Sequence, residues 1–69
     1  MENIKIKTEF IKLDSFLKLS SAVSTGGHAK IIITGGEVKV NNAICTMRGK
    51  KLYPGDTVEF EKKIYKVSL

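Results

Sequence analysis

The chain has 69 residues, 42% of them apolar, and carries 12 Lys/Arg against 7 Asp/Glu, a formal charge of +5. A chain this short buries only about 60% of the surface it exposes when unfolded, so its core closes on itself without walling in a cofactor or a deep cleft. A stand-alone enzyme is thereby disfavoured, and a small basic binder of polyanions is favoured, nucleic acid before anionic membrane.

In chain order, Ile4, Ile6, Thr8 and Phe10 alternate with Lys5, Lys7 and Glu9, which predicts a half-buried strand over 4–10. The period then changes. Leu13, Phe16, Leu17 and Ser20 stand at i, i+3, i+4 and i+7, a helical stripe, with Asp14 or Ser15 at its start to accept a first-turn N–H. Ser24 or Thr25 can cap a second helix that begins at Gly26-Gly27 and runs to about Thr34, with Ala29, Ile32 and Ile33 inward and His28 and Lys30 on or near its outer side. Three successive isoleucines form helix poorly by themselves, so packing must hold this one. Gly35-Gly36 ends it.

Glu37 to Val40 and Ala43 to Thr46 read as strands of a hairpin turned at Asn41-Asn42, because Asn tolerates positive φ. Met47 to Lys51 is a basic loop, expected to be flexible. Pro54-Gly55 suits the two central positions of a type II turn, with Asp56 placed to accept from backbone amides. Strands follow over Thr57 to Glu61 and Ile64 to Leu69, joined through Lys62-Lys63. The predicted order is β-α-α-β-β-β-β, a small α+β domain occupying residues 1–69. Phe10, Phe16 and Phe60 are assigned to the core, as is the small residue Cys45, whereas Tyr53 and Tyr65 are expected to be partly exposed.

The charge is unevenly spread. Residues 12–51 hold seven Lys/Arg against two Asp/Glu, and the flanks are balanced at five of each. All the excess positive charge therefore lies in the middle forty residues.

Catalytic and metal chemistry find no support. One Cys and one His supply at most two soft ligands where structural zinc takes four, and a single cysteine forms no internal disulfide. Gly49-Lys50 is not a phosphate-binding loop, since Ile44 stands where its first glycine would be and Lys51 replaces the Ser/Thr. No apolar run approaches the ~18 residues of a membrane span, and the first residues lack the apolar stretch of a signal peptide. The expectation is a cytoplasmic monomer with no cofactor, no metal, no membrane partner and no small-molecule substrate.

Five short segments in register carry a resemblance. Lys12-Leu13-Asp14-Ser15-Phe16-Leu17, Ser24-Thr25 opening a helix, Ala29-Lys30, Gly36-x-Val38-Lys39-Val40-Asn41 and Pro54-Gly55-Asp56-x-Val58 resemble the S4 RNA-binding domain, or αL motif, over about residues 11–60. Ser24-x-Gly26-Gly27-x-Ala29-Lys30 and Arg48-Gly49-Lys50-Lys51-Leu52 are similar to small bacterial stand-alone members linked to ribosome maturation. The resemblance implies two helices packed on a small, twisted, mostly antiparallel sheet. It implies RNA as partner, ribosomal RNA in particular, and RNA contacts at Lys12, at Thr25, Gly27, His28 and Lys30 on the second helix, at Lys39 and Asn41, and at Arg48, Lys50 and Lys51 in the basic loop. Lys12, Lys30 and Lys39 stand where members usually carry Arg, and Ile31 where a second basic residue is frequent. Lysine lacks the planar fork of Arg, so bidentate contacts are fewer. A protein-interaction adaptor that keeps the fold but binds RNA weakly is the alternative reading.

Overall fold

The alternating apolar residues of the later strands form one continuous inner face, and the two helices lie over it. The computed structural model describes every residue from Met1 to Leu69. Its elements are β1 (Glu2–Lys5), β2 (Ile11–Lys12), α1 (Leu13–Leu19), α2 (Gly26–Thr34), β3 (Val38–Val40), β4 (Ala43–Ile44), β5 (Lys51–Leu52), β6 (Thr57–Phe60) and β7 (Lys63–Ser68). Five strands form a sheet in the order β1-β7-β6-β3-β4, antiparallel except for the parallel pair β1–β7, and β2 pairs with β5 in a separate antiparallel ribbon. This is the small α+β fold expected, two helices on a mostly antiparallel sheet, with β2 and β5 added.

Period-two alternation puts Val38, Val40, Val58, Phe60, Tyr65 and Val67 on the inner face. Leu13, Phe16 and Leu17 of α1 and Ala29, Ile32 and Ile33 of α2 cover them, and Leu52 from the ribbon completes the core without any exposed surface. The three isoleucines behave as packing requires: Ile32 and Ile33 are buried, while Ile31 faces solvent.

Both helices end in the same way. Ser21 N–H donates to Lys18 O and Ala22 N–H to Leu17 O after α1, and Gly36 N–H donates to Ile33 O and Glu37 N–H to Ile32 O after α2. Each is a Schellman motif, which needs a left-handed residue after the cap. Gly36 supplies it at φ +78° without steric cost, whereas Ser21 adopts φ 64° with a side chain. Asn41 and Asn42, at φ 50° and 70°, make the expected turn between β3 and β4.

Several expectations are corrected. The first strand stops at Lys5, since β7 offers no pairing beyond Ser68, whose carbonyl accepts from Ile6 N–H at 2.8 Å. The chain bends over residues 7–9, and Thr8 Oγ1 donates to Phe10 O at 2.7 Å. The strand β4 ends at Ile44 rather than Thr46. The last hairpin turns at Glu61-Lys62, not Lys62-Lys63, because Phe60 pairs with Lys63. Tyr65 lies inward, its ring edge-on to Phe16 at 6.4 Å, and is buried. Cys45 is only half-buried, at the margin of the core, and Phe10 is half-buried outside the core, against Tyr53 and Lys51.

Candidate nucleic-acid interface

The basic loop is held by the start of α1. A helix leaves its first N–H groups without intrahelical acceptors. Here Leu13 N–H donates to Lys50 O at 2.8 Å and Asp14 N–H to Arg48 O at 3.1 Å, while Ser15 N–H donates to Asp14 Oδ1 at 2.7 Å. The loop carbonyls therefore cap α1 together with Asp14, which accepts a first-turn N–H as expected. A second constraint is the turn in which Lys50 N–H donates to Met47 O. The expected flexible clamp is instead a segment tied to a helix end, with Arg48, Lys50 and Lys51 projecting from it, all exposed.

The ribbon adds Lys12. Its register sets Lys12 directly opposite Lys51, and like charges in facing positions destabilise a strand pair. Lys12 is also the N-cap residue of α1 and makes no side-chain capping hydrogen bond. A cation there opposes the positive end of the helix dipole, although Asp14 in the first turn offsets part of it. Lys12 thus occupies a position that local electrostatics disfavours twice.

The second group lies at the start of α2. Thr25 caps this helix, its Oγ1 accepting from His28 N–H at 3.1 Å and its carbonyl from Ala29 N–H. Gly26 and Gly27, both exposed, present the two preceding N–H groups. Nothing crowds them: a Cβ at Gly27 would meet nothing closer than Thr25 Oγ1 at 4.0 Å. No acidic side chain occupies this first turn, and Lys30 lies along the outer side with Ile31 and Thr34. Lys18 completes the group, its Nζ 3.9 Å from where a Cβ at Gly26 would be. Sequence reasoning counts Lys18 among the central charges without placing it in the site. The signal for it is the short connection from 20 to 25, which turns the last turn of α1 back against the first turn of α2.

The remaining predicted residues fall elsewhere. Asn41 is committed internally, donating from Nδ2 to Asp56 Oδ1 at 3.2 Å and accepting from Thr57 N–H at 3.0 Å. Asp56 in turn accepts from Tyr53 N–H, the amide bond expected of it. Asn41 and Lys50 nevertheless line one surface groove of about 340 Å³ with Ile44 and Met47, so the β3–β4 hairpin and the basic loop share an edge. Lys39 points away from the helices, on the outer face of the large sheet between Ile44 and Glu59. The structure thus joins Lys12, Arg48, Lys50 and Lys51 in one cationic cluster and Thr25, Gly27, His28 and Lys30 in another, with Lys39 apart from both. No group of three or more His, Cys, Asp or Glu side chains is placed to hold a metal ion, and no helix is long and apolar enough to cross a membrane.

A helix pair over a small sheet, with cations at both helix starts, is the arrangement of a compact nucleic-acid-binding domain. The chain matches the S4 domain over residues 4–68 and belongs to that family of RNA-binding domains. It is 48% identical over 58 residues to the Bacillus subtilis protein named "Probable ribosome maturation protein RlbA", covering 84% of this chain and 82% of that one. YbcJ of Escherichia coli is 39% identical over 54 residues, which is 78% of this chain and 77% of YbcJ. The solution structure of YbcJ, described as revealing an αL motif involved in RNA binding, superposes with a TM-score of 0.76 at 33% identity, covering 100% of this chain and 89% of YbcJ. The 30S ribosomal protein S4e of Thermoplasma acidophilum shares the fold, with a TM-score of 0.65 at 22% identity over 87% of this chain and 32% of its own.

Proposed function

We propose that this protein docks on structured RNA, ribosomal RNA above all, and acts in ribosome maturation in the cytoplasm. The observation that carries the reading is the placement of cations where the fold itself disfavours them. Lys12 faces Lys51 across the ribbon and sits at the dipole-positive end of α1. Phosphates bound at these points would turn each unfavourable contact into a favourable one. Membership of the S4 family and the name of the Bacillus subtilis relative support the same reading.

Arg48, Lys50 and Lys51, with Lys12 beside them, act as the phosphate clamp, and Thr25, Gly27, His28 and Lys30 with Lys18 as the second contact. The two clusters lie at opposite ends of α1, whose seven residues span about 10 Å, so one phosphate run can bridge them. Recognition by shape and phosphate suits a surface of lysines better than bidentate reading of bases does. Reversing Lys50 and Lys51 together to Glu tests this. Affinity for a structured ribosomal RNA fragment should fall at least ten-fold with the fold retained, and unchanged affinity would remove the loop from the site.

The adaptor reading draws on the exposed apolar side chains Ile31, Ile44 and Met47. Pull-down from cells followed by RNase separates the two: a protein partner retained after RNase favours the adaptor, and co-sedimentation with ribosomal subunits that RNase abolishes favours RNA docking.

A further inference from the structure

The ribbon of β2 and β5 carries more than cations. Its inward side is apolar, with Leu52 fully buried and Ile11 half-buried against the core. By the same alternation its outward side carries Phe10, Lys12, Lys51 and Tyr53. Phe10 and Tyr53 face each other across the ribbon with ring centroids 6.0 Å apart and planes at 48°. Lys51 Nζ lies 4.8 Å from the centre of the Phe10 ring and so covers part of that ring. Tyr53 remains 45% exposed. It is also firmly based: its N–H donates to Asp56 Oδ2 at 2.8 Å, and its carbonyl accepts from Asp56 N–H at 2.9 Å across the Pro54-Gly55 turn.

An exposed aromatic ring on a rigid turn, two residue pairs along the ribbon from two facing lysines and on the same face, has the composition of a nucleotide site: a surface for a base and charge for the phosphates on either side of it. We infer that the outer face of this ribbon binds one unpaired nucleotide of the RNA, its base stacked on Tyr53 and its flanking phosphates on Lys12 and Lys51. Paired bases within an A-form stem have both faces covered by their neighbours, whereas a bulged or loop base offers a free face. The charge around the ring selects the partner. Lys12, Lys51 and the adjoining Lys50 and Arg48 suit a polyanion and oppose an apolar protein surface. Phe10 backs Tyr53 and is a positioning residue, while Tyr53 would touch the base itself. This inference rests on the RNA-docking function and adds to it the kind of RNA feature recognised.

The test compares two RNA hairpins that differ only by one bulged nucleotide in the stem. Wild-type protein should bind the bulged hairpin about ten-fold more tightly than the fully paired one, the scale of stacking a single base on an aromatic ring. Tyr53→Phe should keep that ratio, because the ring remains. Tyr53→Ala should bring it near one, and so should Tyr53→Leu, which retains an apolar body against Phe10 and guards against loss of the fold. A wild-type ratio near one, or a ratio that survives in both Tyr53→Ala and Tyr53→Leu, overturns the inference while leaving RNA docking intact. Wild-type protein that binds neither hairpin at low salt overturns both. A protein partner captured through Tyr53 and retained after RNase would also overturn it.

Discussion

Lys12→Glu should make the protein more stable and a poorer RNA binder, two changes of opposite sign from one side chain. Lys12 faces Lys51 across the ribbon and holds the N-cap of α1 without a capping hydrogen bond. Turning a like-charge facing pair into an opposite-charge pair contributes about 0.2–1 kcal/mol, and an anion at a helix start another 0.3–1 kcal/mol or so. Both lysines are exposed, so salt screening holds the sum near ~1 kcal/mol. For a chain of this size that raises the thermal midpoint by about 4–8 °C, readable by circular dichroism. On the binding side, each phosphate that is no longer neutralised lowers the association constant about five-fold at ~0.15 M salt, the value of 0.15 raised to −0.9. Reversal of the charge also repels neighbouring phosphates, so fluorescence anisotropy with a structured ribosomal RNA fragment should show at least that drop. A lowered midpoint, or unchanged affinity, would refute the idea that Lys12 is held against local electrostatics for the sake of a phosphate.

Three further outcomes follow from the backbone and its caps. Glu61 and Lys62 occupy positive φ, 53° and 67°, in a turn that favours Asn-Gly, so Glu61→Asn combined with Lys62→Gly should stabilise by about 1 kcal/mol in a denaturant titration. Thr25→Ala removes the oxygen that accepts from His28 N–H and should cost about 1 kcal/mol in the same assay. Asn41→Ala removes the bonds to Asp56 and Thr57 and puts alanine at φ 50°, a loss of about 2 kcal/mol; a loss near zero would show that this network contributes nothing.

Local patterns carry most of the fold. The stripe Leu13-Phe16-Leu17, the cap at Thr25, the Asn41-Asn42 turn and the Pro54-Gly55 turn each depend on neighbours within a few residues, and each stands as the sequence predicts. What the sequence leaves unread is set at long range. The capping of α1 by Arg48 and Lys50 carbonyls joins segments more than thirty residues apart, so the loop looks free in the sequence when it is held in the fold. The ribbon register that faces Lys12 with Lys51 has the same origin, and two-residue strands leave no periodic trace. Residue type alone suggests an exposed Tyr65, although its parity with Val67 marks it as inward. Lys39 shows the reverse: its alternation with Val38 and Val40 is plain, but only the helices' choice of face sends it to the far side of the sheet.

The proposed RNA docking rests on phosphate neutralisation by the cations of residues 12–51, and the salt dependence of RNA binding measures that directly. With about five phosphates neutralised, a log–log plot of association constant against salt for duplex-like ribosomal RNA should fall with a slope of about −4, and by roughly one unit less in Lys12→Glu. A slope near zero, or no binding at low salt, would contradict it.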